Sequence, residues 1–219
     1  MVEVREADAA LATLRDLVMR EEGMSCTVSD ALGRINGLSA DLAPMWRGAK
    51  LVGRAVTASA DGLDLSAVFR AIESCRPGDV VVVGDVDIEG RPVRDTAYWG
   101  ENASIAARAR GAVGAVIGAP CRDVSAHERH GFPVFAKGAT PRGGRFGKGG
   151  SVGITVTLGG VEIAPGDVIV ADENGVVTIP AARLQEVVAA IPYALAKDRA
   201  VQRALLEGAG IAEARSREP

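Results

Sequence analysis

Apolar residues recur every three or four positions near the start of the chain, at Leu11, Leu14, Leu17 and Val18. Side chains with this spacing lie on one face of an α-helix, so the pattern predicts an amphipathic N-terminal helix. A second, short helix is predicted to begin at Ser29 and to end near the glycine at position 33 or 37.

From residue 51 onward, short apolar runs alternate with segments of helical spacing. The runs predict strands at residues 51–57, 112–117 and 133–136, and the helical segments lie at residues 63–72, 101–110 and 124–130. Helical spacing returns from about residue 181 to 207 and is interrupted by Pro192. Mixed strands and helices favour an α/β or β/β/α layered fold over a helix bundle or a β-sandwich.

Two segments share one turn-and-strand pattern. Residues 77–83 read Pro-Gly-Asp-Val-Val-Val-Val, and residues 165–170 read Pro-Gly-Asp-Val-Ile-Val. In each segment a Pro-Gly turn precedes a β-branched run of the kind that forms buried strands. The second segment is predicted to continue into a hairpin that closes at residues 178–180.

Composition narrows the class of protein. Only 4% of the 219 residues are aromatic, so the core must be built largely from aliphatic side chains and alanine. The formal net charge of -3 argues against a nucleic-acid-binding protein, because that class is typically basic. The cysteines at positions 26, 75 and 121 are odd in number and widely spaced, which predicts neither a disulfide framework nor a zinc site.

The hydropathy of the chain bears on its location. No apolar run approaches the roughly 18–20 residues that a bilayer span requires. The N-terminus lacks the basic segment and apolar stretch of a signal peptide. We therefore expect a cytoplasmic protein with no membrane partner.

The candidate chemistry is concentrated between residues 99 and 137. There a helix begins at residues 100–103, and an apolar strand runs into Arg122 and Asp123. Helix-start amides can hold an anion, a guanidinium can hydrogen-bond a developing oxyanion, and a carboxylate can hold a divalent metal. All three groups lie at strand or helix ends, where α/β proteins usually bind ligands.

Each of these features also has a purely structural interpretation. The alanine-rich helix can simply pack close to a sheet, and free N–H groups exist at any helix start. Asp123 can cap the helix predicted from residue 124, with Arg122 on the surface. Both interpretations remain open, although the clustering of the features in one short α/β unit favours a site.

Two other motifs carry less weight. His127 and His130 have a spacing that suits a metal pair, but the charged residues between them favour a solvent-exposed helix face. The glycine-rich, basic segment 143–153 lacks the phosphate-loop frame, because Lys148 is followed by glycine rather than by a hydroxyl residue. We expect a flexible loop there that contacts a neighbouring subunit or tunes charge near a site.

Several motifs occur in the order found in one known family. They are residues 98–101 (Tyr-Trp-Gly-Glu), 106–111 (Ala-Ala-Arg-Ala-Arg-Gly), 114–117 (Gly-Ala-Val-Ile), 122–123 (Arg-Asp), 131–135 (Gly-Phe-Pro-Val-Phe) and 165–172 (Pro-Gly-Asp-Val-Ile-Val-Ala-Asp). With these motifs, residues 29 to 180 resemble the RraA-like proteins. That family includes class II 4-hydroxy-4-methyl-2-oxoglutarate / 4-carboxy-4-hydroxy-2-oxoadipate aldolases and a regulator of ribonuclease E activity.

The resemblance implies an architecture. It points to a swivelling β/β/α fold with flanking N- and C-terminal helices, assembled as a homotrimer or homohexamer with active sites between subunits. It divides the chain into an N-terminal helical segment (residues 1–28), the RraA-like domain (29–180) and C-terminal helices with a frayed tail (181–219).

The resemblance also implies site roles. In the aldolases the pyruvyl carboxylate is held by backbone amides, and the matching residues here are Gly100, Glu101, Asn102 and Ala103. Arg122 matches the arginine that binds the keto or hydroxyl oxygen of the substrate, and Asp123 matches the aspartate that ligates Mg²⁺ or Mn²⁺. Arg122 and Asp123 are therefore the expected catalytic pair.

Two positions depart from the family pattern. Gly118 stands where many relatives have an acidic residue, in the turn before Arg122. The three residues after Asp123 are neutral, although an acidic residue is often found there. Both changes bear on metal affinity and on the choice of substrate.

The activity that the resemblance implies is a divalent-metal-dependent lyase acting on a small 2-oxo acid. The enzyme would cleave a 4-hydroxy-2-oxo dicarboxylic or tricarboxylic acid to pyruvate and a second 2-oxo acid, with oxaloacetate decarboxylase side activity. Both reactions need a stabilised pyruvate enolate, for which a metal is a natural electron sink. The alternatives are a non-catalytic regulator of ribonuclease activity that binds another protein, and another metal-dependent 2-oxo acid lyase or decarboxylase.

Overall fold

A mixed sheet of eight strands forms the centre of the computed structural model, which describes residues 2–87, 89–90 and 95–217. The strands of the described chain are β1 (Ala43–Pro44), β2 (Leu51–Ser59), β3 (Asp79–Val83), β4 (Gly114–Ile117), β5 (Val134–Ala136), β6 (Ser151–Val152), β7 (Val156–Leu158), β8 (Val161–Ile163), β9 (Val168–Asp172) and β10 (Gly175–Ile179). Their order in the sheet is β1-β5-β4-β3-β2-β9-β10, with β6 paired to β2. Strands β7 and β8 form a separate antiparallel pair.

Helices flank this sheet. They are α1 (Val2–Arg20), α2 (Met24–Ala31), α3 (Ser66–Ser74), α4 (Glu101–Ala109), α5 (Val124–Arg129), α6 (Leu184–Leu206) and α7 (Ile211–Ser216), with a 3-10 turn at Ala181–Arg183 before α6. The predicted α/β fold with terminal helices is confirmed. No helix in the described part of the chain is both long and apolar enough to span a bilayer.

The two Pro-Gly segments lie on opposite sides of β2. Arg54 of β2 is in register with Asp79 of β3 on one side and with Val168 of β9 on the other. Strand β3 runs parallel to β2, whereas β9 runs antiparallel and continues into the predicted hairpin with β10. The same local sequence pattern therefore forms both a parallel and an antiparallel strand. Both apolar runs are buried, and burial does not depend on strand direction.

Three clusters of buried apolar residues hold these layers together. One lies beneath α3 and α4, and one lies between α1, α2, α6 and the β9–β10 hairpin. The third covers the remaining face of the sheet beneath β7 and β8. The cysteines at 26, 75 and 121 are free, as the sequence predicts.

Two predicted helix boundaries are wrong. Helix α2 begins at Met24 rather than at Ser29, because Met24 and Val28 are buried against α1 and α6. Helix α6 runs through Pro192 without interruption. Buried residues on both sides of the proline offset its cost of about 3 kcal/mol in a helix interior.

The connections of the parallel strands position the functional residues. Strands β2, β3, β4 and β5 are parallel, with α4 preceding β4 and α5 following it. A helix that crosses back between parallel strands begins at their carboxyl edge, which is where open α/β sheets bind ligands. The start of α4 and the turn before α5 both lie there.

Candidate functional site

The first turn of α4 is not capped by its own N-cap residue. Gly100 occupies the cap position in extended conformation and supplies no side chain. The Glu101 N–H instead donates to the Oδ2 atom of Asp123, at 3.1 Å. The positive end of this helix therefore faces the carboxylate that follows β4.

Asp123 occupies the N-cap position of α5 but does not cap that helix. Its backbone is left-handed, with φ of 58°, and its side chain makes no cap hydrogen bond to α5. The capping interpretation of Asp123 is therefore wrong: the carboxylate points across to α4. The Glu101 N–H lowers the pKa of Asp123, with the charge of Arg122 acting in the same direction against partial burial.

Gly100 is required by close approach. A Cβ atom at this position would lie 2.8 Å from Asp123 Oδ2 and 3.0 Å from Arg122 Cγ. Any side chain there would push the arginine–aspartate turn away from α4. The glycine that opens the helix therefore permits the contact between the predicted anion site and the predicted metal ligand.

The backbone of Arg122 is hydrogen-bonded to the neighbouring loop, whereas its guanidinium is partly exposed. Its N–H donates to the Trp99 carbonyl at 2.9 Å, in a bridge that joins the two loops. Its Nε lies 3.3 Å from Asp123 Oδ2, and half of the side chain is exposed. The remaining guanidinium donors are available to a bound ligand.

Two cavities meet at this pair. One, of about 210 Å³, is lined by the whole α4 start together with Arg122 and Asp123; its further lining residues include Leu65, Phe69 and Phe146. The other, of about 400 Å³, is bounded by Arg122, Asp123 and residues 139–141. The structure thus brings all the sequence-predicted site residues, Gly100, Glu101, Asn102, Ala103, Arg122 and Asp123, to one cavity.

The Glu101 side chain takes a different direction from its amide. Its Oε1 atom accepts hydrogen bonds from Arg129 Nη2 at 2.6 Å and from His130 Nε2 at 2.8 Å. The His130 contact, followed by that of Arg129, lowers the pKa of Glu101. This carboxylate therefore links α4 to α5.

His127 is fully buried, so the prediction of a solvent-exposed histidine face is wrong for this residue. Trp99 Nε1 donates to Ser104 Oγ at 2.8 Å, and Ser104 Oγ lies 3.0 Å from His127 Nδ1. Burial lowers the pKa of His127 and so favours its neutral form.

His127 and His130 do not form a pair, since their ring nitrogens contact Ser104 and Glu101 respectively. Sequence reasoning missed the Trp99–Ser104–His127 chain. Helix α5 is too short for its pattern of polar and apolar residues to show which face is buried. Within the described chain, no cluster of three or more His, Cys, Asp or Glu side chains suits a metal.

The glycine-rich segment is hydrogen-bonded to Asp64, in the turn before α3, and to Arg70 of α3. The Asp64 carboxylate accepts from the Gly147 N–H at 3.0 Å and from the Gly149 N–H at 2.8 Å. Arg70 Nη2 donates to the Gly149 and Gly150 carbonyls at 2.9 and 2.8 Å. These contacts anchor the segment, whereas its flexibility and its role toward a neighbouring subunit stay predictions.

The departure at position 118 has a steric cause. A Cβ atom at Gly118 would lie 2.5 Å from the backbone of Asp85. No acidic side chain can occupy this position without displacing the loop that follows β3. The chain thus lacks room here for the acid that the family resemblance leads us to expect.

The family model described as Aldolase/RraA matches residues 25–178. The chain belongs to the RraA-like family. A relative from Halalkalibacterium halodurans, provisionally named a 4-hydroxy-4-methyl-2-oxoglutarate aldolase, is 32% identical over 178 residues, which cover 81% of this chain and 82% of the relative.

Solved structures of other proteins share the fold. An uncharacterized protein from Pseudomonas syringae pv. tomato matches with a TM-score of 0.74 and 25% identity, covering 93% of this chain and 97% of that one. The RNA-processing inhibitor RraA from Thermus thermophilis matches with a TM-score of 0.63 and 25% identity, covering 73% of this chain and 94% of that one.

Proposed function

We propose that this RraA-like protein is a class II, divalent-metal-dependent pyruvate aldolase. It would cleave a 4-hydroxy-2-oxo acid with a second carboxylate to pyruvate and a second 2-oxo acid, with oxaloacetate decarboxylation as a side activity. The observation that carries the proposal is the meeting of the α4 start, Arg122 and Asp123 at one cavity. The aldolase name of the Halalkalibacterium relative supports the same reaction class.

The pyruvyl end of the substrate fits the cationic side of this cavity. The backbone amides of residues 100–103 would bind the substrate carboxylate at the positive end of α4, apart from the Glu101 N–H, which donates to Asp123. The half-exposed Arg122 guanidinium can donate to the keto oxygen, where negative charge develops in the enolate. These groups provide the binding and charge stabilisation that both reactions share.

The donor set at Asp123 fits Mg²⁺ or Mn²⁺. Oδ2 is engaged by Glu101 and Arg122, whereas no hydrogen bond to Oδ1 occurs within the described part of the chain. Mg²⁺ commonly binds proteins through one or two carboxylates and completes its shell with water and substrate oxygens, so a single aspartate suffices. When bound, the ion would polarise the keto group of the substrate.

The cleavage step requires no further reagent. The C3–C4 bond breaks, and its electron pair gives the pyruvate enolate. The C4 hydroxyl loses its proton and becomes the carbonyl of the second product, and the enolate is protonated at C3. Arg122 would stabilise the enolate oxygen throughout, in the same manner for oxaloacetate after loss of carbon dioxide.

The test is a coupled assay for pyruvate. Purified protein is given 4-hydroxy-4-methyl-2-oxoglutarate or oxaloacetate with Mg²⁺, with Mn²⁺ or with EDTA. We expect pyruvate release that either metal supports and EDTA abolishes. Absence of release with every metal and substrate would contradict the proposal.

A second candidate function is regulation through protein binding. The match to the Thermus RNA-processing inhibitor favours it, because that protein shares the fold over most of its length. A regulator would release no pyruvate under any condition and would change the activity of a ribonuclease in a purified mixture. The open guanidinium of Arg122 beside a cavity favours catalysis over this alternative.

A further inference from the structure

The cavity beside Arg122 has an apolar end that the reaction proposed above leaves unassigned. Leu65, Phe69 and Phe146 form this aromatic end of the lining. Phe69 and Phe146 are in ring contact, with centroids 5.1 Å apart and planes inclined by 58°. Phe146 is nevertheless 71% exposed, so most of this large apolar ring remains uncovered next to the site.

The backbone on both sides of Phe146 is hydrogen-bonded to the turn before α3. Arg145 accepts from the Leu65 N–H at 2.9 Å and donates its own N–H to the Leu63 carbonyl at 2.8 Å. On the other side of Phe146, the Gly147 N–H donates to Asp64 Oδ1. These contacts anchor the segment that carries the ring, which reduces the entropy lost when the segment binds an apolar group.

Glycines permit this placement by close contact. A Cβ atom at Gly144 would lie 2.5 Å from the Leu63 carbonyl, and one at Gly147 would lie 2.4 Å from Asp64 Oδ2. The segment must therefore be glycine-rich to lie against the turn before α3. This accounts for the sequence motif that resembled a phosphate loop without its frame.

The charged residues of the lining are grouped. Among the described residues that line the cavity, these are Glu101, which opens α4, Asp123, which contacts the Glu101 amide, and Arg122, which contacts Asp123. Leu65, Phe69 and Phe146 offer no charge to pair with a further carboxylate, so the aromatic end suits an uncharged group.

We propose that the aromatic end of this cavity selects substrates whose C4 atom carries an apolar group larger than methyl. The inference rests on the proposed aldolase function and names its substrate class: 4-hydroxy-2-oxoglutarates with an alkyl or arylmethyl substituent at C4. Cleavage of such a compound gives pyruvate and a 2-oxo acid that retains the apolar group. Phe146 would be the main specificity-determining residue, with Phe69 supporting its ring.

The experiment compares four substrates that share one pyruvyl half and differ only at C4. The C4 substituents are methyl, isobutyl, benzyl and carboxymethyl, and kcat/KM is measured from pyruvate release with Mg²⁺. We expect isobutyl or benzyl to exceed carboxymethyl by about tenfold or more, in line with the discrimination an apolar pocket provides. Release from none of the four would refute the aldolase function itself, and this inference with it.

Variants of Phe146 sharpen the result. Phe146→Ala should lower kcat/KM for the isobutyl and benzyl compounds by about tenfold while leaving the methyl compound within about twofold. Phe146→Arg should raise kcat/KM for the carboxymethyl compound. The control is Leu206→Ala, which removes an exposed apolar side chain at the end of α6 and should change none of the four values.

Two outcomes would overturn the inference while leaving the aldolase function intact. One is a wild-type preference for carboxymethyl over both apolar groups. The other is an equal effect of Phe146→Ala on all four substrates, which would assign Phe146 a structural rather than a selective role.

Discussion

Two charged clusters lie at the ends of the parallel strands, and they differ in how far their side chains are exposed to solvent. Lys137 follows β5, and its Nζ lies 3.0 Å from Asp85 Oδ2 and 3.2 Å from Asp41 Oδ2. Arg122 follows β4 and contacts Asp123 at 3.3 Å. The Lys137 and Asp85 side chains are 23% and 15% exposed, against 50% and 36% for Arg122 and Asp123.

The contacts of the lysine cluster are directed inward. Asp85 Oδ2 also accepts from the Gly159 N–H at 2.9 Å, so this carboxylate ties β7 and β8 to the sheet. Burial lowers the pKa of Lys137, but the hydrogen bond and charge of Asp85, with those of Asp41, outweigh it and raise the pKa overall. An ion pair at a strand end is therefore a candidate site only where donors stay open beside a cavity.

Replacing Asp123 should have the largest effect on activity. Asp123→Asn keeps a side chain that tolerates the left-handed backbone and can still accept from the Glu101 N–H, but it removes the charge. We expect kcat/KM for pyruvate release to fall by about 10³-fold. Thermal unfolding should be almost unchanged, and retention of a tenth of the activity would refute the metal-ligand role.

Arg122→Lys should come next. An ammonium keeps the charge but cannot reproduce the planar fork of donors. We expect a loss of about 10²-fold in kcat/KM, seen mainly in kcat because the contact strengthens as the enolate forms. Kinetics close to those of the wild type would exclude Arg122 from stabilising the enolate.

Lys137→Met should show the opposite profile. It leaves Asp85 and Asp41 facing each other without a cation, which should lower the free energy of unfolding by about 2 kcal/mol. Activity per folded molecule should stay within about twofold, since Lys137 contacts neither cavity at Arg122. Urea unfolding measures the stability, and the coupled pyruvate assay measures the activity. A large loss of activity in folded protein would contradict a purely structural role for the lysine cluster.

A smaller effect is expected from His127 on the pH dependence of stability. Its pKa is lowered in the folded state, so the unfolded chain takes up the proton first as pH falls below its usual value of 6.5. This contribution to stability is complete above pH 6.5 and is lost as the solution becomes more acidic. The variant His127→Gln should therefore lose less Tm than the wild type between about pH 7.5 and about pH 5.5. Parallel Tm profiles would indicate that folding does not lower the pKa of His127.

The sequence predicts those parts of the site that depend on local pattern. The start of α4 and the position of Arg122 and Asp123 after β4 follow from strand and helix spacing within some twenty residues. Asp64 holds Gly147 across 83 positions of sequence, and no local pattern reports that contact. Burial of His127 depends likewise on Ser104 in another helix.

The fold shows the same division between local and non-local information. The strand runs of β2, β3 and β9 are predicted from their β-branched residues, but their directions are set by connections elsewhere in the chain. Helix α6 continues through Pro192 because packing outweighs local propensity. The division of the chain into three segments at residues 28 and 180 stays a prediction.

Exchange of the C3 protons of pyruvate in deuterated water tests most directly whether the site forms the pyruvate enolate. The exchange is measured as loss of the methyl signal in proton NMR. Exchange requires formation of the enolate but no C4 substituent. We expect exchange by the wild type with Mg²⁺, little exchange in EDTA or with Asp123→Asn, and near wild-type rates for folded Lys137→Met. Exchange that is as fast in Asp123→Asn as in the wild type would contradict it.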